Sequence, residues 1–293
     1  MKAMVIYNPR SGKKQAPRIG AIAARMEKAL NIQLDVRAIE GPGHGTELAK
    51  EAVANGYDRV ISVGGDGTNN AIAQGLLGSQ VPMGIVAMGS GNGYARSIGL
   101  PLEPEAALRH ALTAPARAMD VCYLNDHLFL GTAGIGFDAR VADRFDRSST
   151  RGMFTYARII VQEIFGAPPM PVEVLSAGRT LRENVLMLVF CNTREFGNGA
   201  DISPGSRPDD GLAELRVVRK PPFVPLIKAF YDIYTHRADR NPYLTNIQAT
   251  EATVRQGGTM AHLDGEPLEV GHEVRFRLEP AALMVVAPRS SAR

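Results

Sequence analysis

Through the first third of the chain, short apolar runs that end in glycine-rich turns alternate with amphipathic segments. Residues 3–7 read as a strand, followed by the turn Asn8-Pro9-Arg10-Ser11-Gly12 and a helix whose Ile19, Ile22, Ala23, Met26 and Leu30 share one face. Residues 32–39 give a second strand, broken by Gly41, Pro42 and Gly43 before a helix near 46–54. Val60, Ile61 and Val63 form a β-branched third strand that stops at Gly64-Gly65-Asp66-Gly67-Thr68. Residues 83–88 make a fourth, ending in Gly89-Ser90-Gly91-Asn92-Gly93 ahead of a short helical run at 94–98. Strand and helix alternating at this spacing predict a doubly wound parallel sheet with right-handed crossovers, an α/β domain over residues 1–116.

Pro101 and Pro104 precede a helix at 105–112, and beyond Pro115 the rhythm changes. Strand-like runs at 119–124, 127–132, 172–175, 185–191, 212–218, 247–254, 259–263, 273–278 and 283–286 follow without regular helical crossovers. They predict a mainly antiparallel β-sandwich over 117–293, with the last residues able to pack back on the first domain. Two helical insertions interrupt it. Residues 136–165 interleave Arg140, Arg144, Arg147, Arg151 and Arg158 with Phe137, Val141, Phe145, Phe154, Tyr156, Ile159, Ile160, Ile164 and Phe165; residues 223–236 are aromatic and aliphatic. Amphipathic helices packed on the sheet account for most of these positions. A greasy, basic rim facing a membrane or lipid is the sharper reading.

Composition narrows the class. A chain of 293 residues with 45% hydrophobic content can bury two ordinary cores. A net charge of +3 without a dense Lys/Arg block argues against a nucleic-acid partner. Cys122 and Cys191 stand alone with no metal-ligand spacing, as expected of reduced cytoplasmic thiols. No run of about 18 apolar residues is present, so peripheral contact is the membrane association left open. An apolar strand edge in the second domain could pair two copies.

The candidate chemistry lies in the turns. Glycines let the backbone approach a ligand closely, and Thr68 can cap a helix whose first N–H groups face an anion. Two such turns, Gly64 to Thr68 and Gly89 to Gly93, at the carboxyl ends of neighbouring strands suit a phosphate. Asp66 would repel that phosphate unless a cation, expected to be Mg²⁺, lay between them. Near the C-terminus, His262-Leu263-Asp264-Gly265-Glu266 is a compact turn with two carboxylates. Taken alone it reads as a polar hairpin. Beside phosphate-binding turns, Asp264 becomes a candidate general base and Glu266 a residue that positions it or a neighbouring cation.

The motifs Asn8 to Gly12, Gly64 to Thr68, Gly89 to Gly93 and Leu263-Asp264-Gly265-Glu266, in that order over nearly the whole chain, resemble the diacylglycerol kinase catalytic family, which includes bacterial soluble lipid kinases and sphingosine kinases. The resemblance implies a nucleotide cleft between an α/β domain and a β-sandwich, with MgATP as donor and a lipid hydroxyl as acceptor. It assigns Asn8, Ser11, Gly65, Gly67, Thr68, Ser90 and Asn92 to the nucleotide, Asp264 to the base, and Asp66 and Asp120 to a network around Mg²⁺. It also implies a second, structural Mg²⁺ at the turn 204–212, held by Asp210 and the carbonyls of Arg207 and Leu212. One position departs from the pattern: Gly93 stands where many bacterial members carry Asp, a feature also of sphingosine-kinase-like members.

The expected activity is therefore ATP-dependent phosphorylation of a diacylglycerol-like lipid, with a sphingoid base or other lipid alcohol as the nearest alternative acceptor. A soluble acceptor of the NAD kinase type and a non-catalytic nucleotide-binding regulator complete the readings. A Rossmann dinucleotide enzyme is disfavoured because the first turn, NPRSG, lacks its fingerprint.

Overall fold

The computed structural model describes residues 1–12, 16–148 and 153–288 and divides into two compact units, Met1–Met119 with Ala281–Arg293, and Asp120–Pro280. Arg151 lies outside the described residues.

In the first unit, strands β1 (Lys2–Tyr7), β2 (Gln33–Ala38), β3 (Arg59–Gly64) and β4 (Met83–Ala87) run parallel in the order β2-β1-β3-β4. Ala3, Val5, Ile61, Val63 and Val86 point to one face, where α1 (Ala16–Leu30) supplies Ile19, Ala23 and Met26, and α5 (Pro104–Thr113) supplies Leu108 and Ala111. Between them in sequence come α2 (His44–Ala54), α3 (Asp66–Leu76) and the short α4 (Gly93–Ser97). The helices α2 and α3 pack so closely that a Cβ on Gly75 would lie 2.6 Å from that of Ala49. With helices supplying apolar cover, β1, β3 and β4 are nearly continuous apolar runs rather than alternating ones.

The second unit is an antiparallel sandwich. One sheet has the order β12-β11-β10-β7-β14-β15, formed by Leu244–Ala249, Ala213–Val218, Met187–Cys191, Thr132–Gly136, Met260–Leu263 and Glu266–Glu269. Facing it are β8 (Met170–Ser176), β9 (Arg179–Val185), β13 (Glu251–Gln256) and the first part of β16 (Glu273–Val286), with β5 (Ala116–Leu124) and β6 (His127–Phe129) as a hairpin. β10 shows why its sequence is unbroken in hydrophobicity. Leu188 and Phe190 enter the sandwich core, whereas Met187, Val189 and Cys191 face a second core under α6 (Phe137–Asp146), α7 (Met153–Ile164) and α8 (Phe223–Tyr234). Among the described residues, no helix is long and apolar enough to cross a membrane.

Several predicted runs divide differently. The run 247–254 is two strands, because the chain bends at Thr250 and passes from one sheet to the other. The runs at 273–278 and 283–286 are one strand, β16, kinked at Ala281 with φ +52° where the chain leaves one unit for the other. The run 127–132 stops at Phe129 and resumes at Thr132, since the intervening N–H groups bond to a side chain rather than to a strand.

Candidate functional site

In the first unit three turns meet at the carboxyl ends of β1, β3 and β4. Asn8 links two of them: its N–H donates to the Val63 carbonyl (2.9 Å) and its Nδ2 to Thr68 Oγ1 (3.2 Å). Its Oδ1 accepts the Arg10 N–H at 2.9 Å, and its carbonyl accepts the Ser11 N–H at 3.0 Å. Thr68 is not the cap of α3. Gly65 is the N-cap, and Thr68 sits buried one turn in, where a Cβ on Gly64 would meet its Oγ1 at 2.5 Å. The threonine thus packs under the turn, and the first N–H groups of an 11-residue helix have no side-chain cap to satisfy them.

The second glycine turn lies against the first. Met88 N–H donates to the Gly64 carbonyl at 2.7 Å, and a Cβ on Gly89 would lie 2.8 Å from Gly65 Cα. Asn92 caps α4 in the left-handed region, φ +52°, and its buried Oδ1 has no hydrogen-bond partner among the described residues. Ser90 is exposed at the tip. Gly64, Gly65, Gly67, Thr68, Gly89, Ser90, Asn92, Asn8 and Ser11 therefore all belong to one cluster of turns, with Asp66 at the first position of α3. Close backbone approach and uncapped N–H groups fit a polyphosphate, whereas Asp66 and the orphaned Asn92 Oδ1, both acceptors, fit its counter-cation.

In the second unit the hairpin β14–β15 turns through Asp264 (φ +49°) and Gly265 (φ +88°), the two-residue turn that Asp-Gly favours. The Asp264 carboxylate accepts three backbone N–H groups: Leu130 to Oδ2 at 2.9 Å, and Gly131 and Thr132 to Oδ1 at 2.9 and 2.8 Å. Gly131 makes room for it, because a Cβ there would stand 2.7 Å from Oδ1. Thr193 Oγ1 lies beside the same glycine, buried and with no hydrogen-bond partner among the described residues. Glu266 is exposed at the start of β15, yet enough protein surrounds its carboxyl to raise it above the usual carboxylate range, helped by the charges of Asp264 and Asp146.

Asp120 belongs to this unit and is fastened to the turn at 207–212. Its N–H donates to the Pro208 carbonyl (2.7 Å) and its Oδ2 accepts from the Gly211 N–H (2.8 Å). Asn192 Nδ2 bridges the carbonyls of Asp120 and Leu130 at 3.1 and 2.7 Å, tying this turn to the loop that holds Asp264. Asp210 Oδ1 accepts from the Leu212 N–H at 3.1 Å, and Arg207 pairs with Asp209 at 3.5 Å. Burial, with the Asp120 and Asp209 charges, pushes the Asp210 carboxyl up, an environment a cation would relieve. Among the described residues no three Asp, Glu, His or Cys side chains converge as a metal-binding group, so any cation here would draw on backbone carbonyls and phosphate oxygens.

The sequence reading missed the amides of Leu130, Gly131 and Thr132, together with Asp138, which meets His262. Their trace is the glycine spacing Gly131, Gly134 and Gly136, each at a position where a Cβ would strike a neighbouring group.

Two family models match successive parts of the chain. The Diacylglycerol kinase catalytic domain model matches residues 2–124, and the YegS C-terminal NAD kinase beta sandwich-like domain model matches residues 131–287. A "Probable lipid kinase YegS-like" of Chromohalobacter salexigens is 31% identical, with 98% of this chain and 94% of the relative covered. A "Diacylglycerol kinase" of Mycobacterium tuberculosis is 29% identical, with 98% and 96% covered. A diacylglycerol kinase crystal structure from Bacillus anthracis shares the fold, with a TM-score of 0.78 at 19% identity over 99% of this chain and 98% of that one. The chain belongs to the diacylglycerol kinase catalytic family, among its YegS-like lipid kinases.

Proposed function

We propose that this protein transfers the γ-phosphoryl group of MgATP to the hydroxyl of a diacylglycerol-like lipid at a membrane surface. The observation that carries the lipid reading is an uncovered apolar face. On α7 and the residue just after it, Phe154 (95% exposed), Val161 (59%) and Phe165 (59%) recur at helical spacing with Arg158 among them. On α8, Ile227 (60%), Tyr231 (57%) and Tyr234 (53%) do the same beside Lys228. Both helices bury their opposite faces in one core, and Lys220 from the segment before α8 donates to the Ala167 carbonyl just after α7 (2.7 Å). Aromatic rings and aliphatic tips flanked by long cations suit the headgroup boundary of a bilayer. Of the arginines in this insertion, Arg140 and Arg144 pair with Glu163, and Arg147 pairs with Asp143. The apolar tips, more than those charges, would make the contact.

In this reading the uncapped amides of α3 and the Gly89 to Gly93 turn hold phosphate oxygens, with Asn8, Ser11 and Asn92 fixing the turns around them. Bound Mg²⁺ would offset charge on the transferring group, with Asp66 and Asp120 as its carboxylates. Asp264 takes the proton of the attacking hydroxyl. The three backbone donors hold the Asp264 carboxylate in place, and Thr193 Oγ1 is a hydrogen-bonding group for the incoming alcohol.

The test is phosphate transfer from labelled MgATP to a panel of diacylglycerol, sphingosine, other lipid alcohols and NAD, with Asp264→Asn in parallel. We expect labelled diacylglycerol from the wild type, and for Asp264→Asn retained ATP binding with turnover lower by on the order of 10² to 10⁴. Labelled NAD would move the assignment to a soluble acceptor; full activity of the variant would remove Asp264 as base.

A further inference from the structure

We infer that His262 and Asp138 form a buried positioning pair that sets the Asp264 turn. The inference rests on the lipid-kinase reading of Asp264 as the base. His262 lies on β14 opposite Gly134 of β7, and the side chains of His262 and Asp138 are 5% and 7% exposed. A Cβ on Gly134 would lie 1.8 Å from Asp138 Oδ2 and 2.9 Å from His262 Nε2, so the pair occupies the space that a side chain would need at that strand position. His262 Nε2 and Asp138 Oδ2 are 3.2 Å apart.

The other ring nitrogen faces the catalytic turn. His262 Nδ1 accepts the N–H of Gly265 at 3.3 Å. An atom that accepts an N–H carries a lone pair, so in the neutral ring the proton sits on Nε2 and is donated to Asp138. Asp138 Oδ1 in turn accepts the Ala139 N–H at 2.9 Å in the first turn of α6. One chain of hydrogen bonds thus runs from the start of α6, through the imidazole, to the peptide that joins Asp264 to Gly265. Both residues of that turn have positive φ, a conformation that costs energy at Asp264 and needs support from its surroundings. His262 acts through the backbone on which the base is mounted, and a displacement of that base by about 1 Å is enough to cost on the order of 10² in rate.

Asparagine and glutamine separate the two halves of the pair. Asn at 262 places Oδ1 near the position of Nδ1 and can accept from Gly265, but cannot reach Asp138. Gln reaches toward Asp138 and offers nothing to Gly265. The experiment measures kcat, KM for MgATP and melting temperature for His262→Ala, His262→Asn and His262→Gln, with diacylglycerol in mixed micelles as acceptor. We expect His262→Ala to lose turnover by on the order of tenfold or more with KM for MgATP little changed. His262→Asn should recover most of that loss, and His262→Gln should stay near the Ala level. A Gln variant as active as Asn, or turnover that follows melting temperature alone, overturns the inference. An inactive wild type with every acceptor removes the lipid-kinase reading itself, whereas an active wild type with equal Asn and Gln variants removes the positioning role alone. Should His262→Ala fail to fold, the Asn and Gln variants still decide the question.

Discussion

Replacing Gly89 by alanine tests whether the two glycine turns act as one phosphate cradle. The added methyl would stand 2.8 Å from Gly65 Cα and 2.9 Å from Asn92 Oδ1. The first neighbour is backbone and cannot swing aside, so restoring ordinary contact needs one turn to move by about 0.6 Å away from the other. Overpacking of this kind costs about 1–3 kcal/mol. If the cost falls on the turns when they close around phosphate, affinity for MgATP drops by roughly one to two orders of magnitude, at about 1.4 kcal/mol per tenfold. Gly65→Ala is the internal control: its Cβ would meet Gly89 Cα at 3.4 Å, an ordinary contact, and its φ of −93° suits any residue. Titration calorimetry with MgATP, alongside melting curves, should therefore show a large loss for Gly89→Ala and a small one for Gly65→Ala. A folded Gly89→Ala that binds MgATP as the wild type does would refute the cradle.

Three further outcomes are expected. The pair Phe154→Asp and Ile227→Asp should release the protein from anionic vesicles in a flotation assay while leaving its melting temperature nearly unchanged, because both side chains are exposed; undiminished binding would remove the apolar face as the contact. Asp210→Ala should abolish stabilisation by Mg²⁺ in the absence of nucleotide, read as a thermal shift, and an undiminished shift would remove the second cation site. Burial raises the Glu214 carboxyl above its usual 4.5, so the folded state favours the protonated form. That contribution is complete below pH 4.5 and is lost as pH rises through the raised value, so Glu214→Gln should gain stability relative to the wild type from pH 4 toward pH 7. Parallel melting curves across that range would count against this.

The first unit was legible in the sequence because its signals are local. β1, β3 and β4 are apolar runs closed by their own glycine turns, β2 alternates at the sheet edge, and the order of strands and helices defines a parallel sheet with little freedom left. The second unit was legible as a class and less so in its divisions. Residues 247–254 carry apolar positions on both sides of Thr250, so hydrophobicity runs on through the point where the chain changes sheets. In β16, likewise, Glu279, Pro280 and Ala281 look like a turn, but the left-handed Ala281 bends the strand without ending it.

For the site, the sequence offered candidate side chains and not the groups that hold them. Asp264 could be found from its neighbours in Leu263-Asp264-Gly265-Glu266, yet what fixes it is three main-chain N–H groups more than 130 residues earlier, and an amide has no identity in a sequence. The indirect mark of such a group is the residue that must be small to admit its partner. Gly131 and Gly134 stand in β7 and its approach, where glycine weakens a strand, and each gives up its side-chain space to a carboxylate. Gly64 does the same for Thr68, and Gly89 for the backbone of Gly65. Glycines of two kinds therefore share these motifs: those with positive φ, such as Gly265, which shape a turn, and those that stay empty for a neighbour. The second kind points to a packed partner, near in sequence for Gly64 and Gly134 and distant for Gly89 and Gly131, and in this chain it marks both the cluster of glycine turns and the turn that carries Asp264.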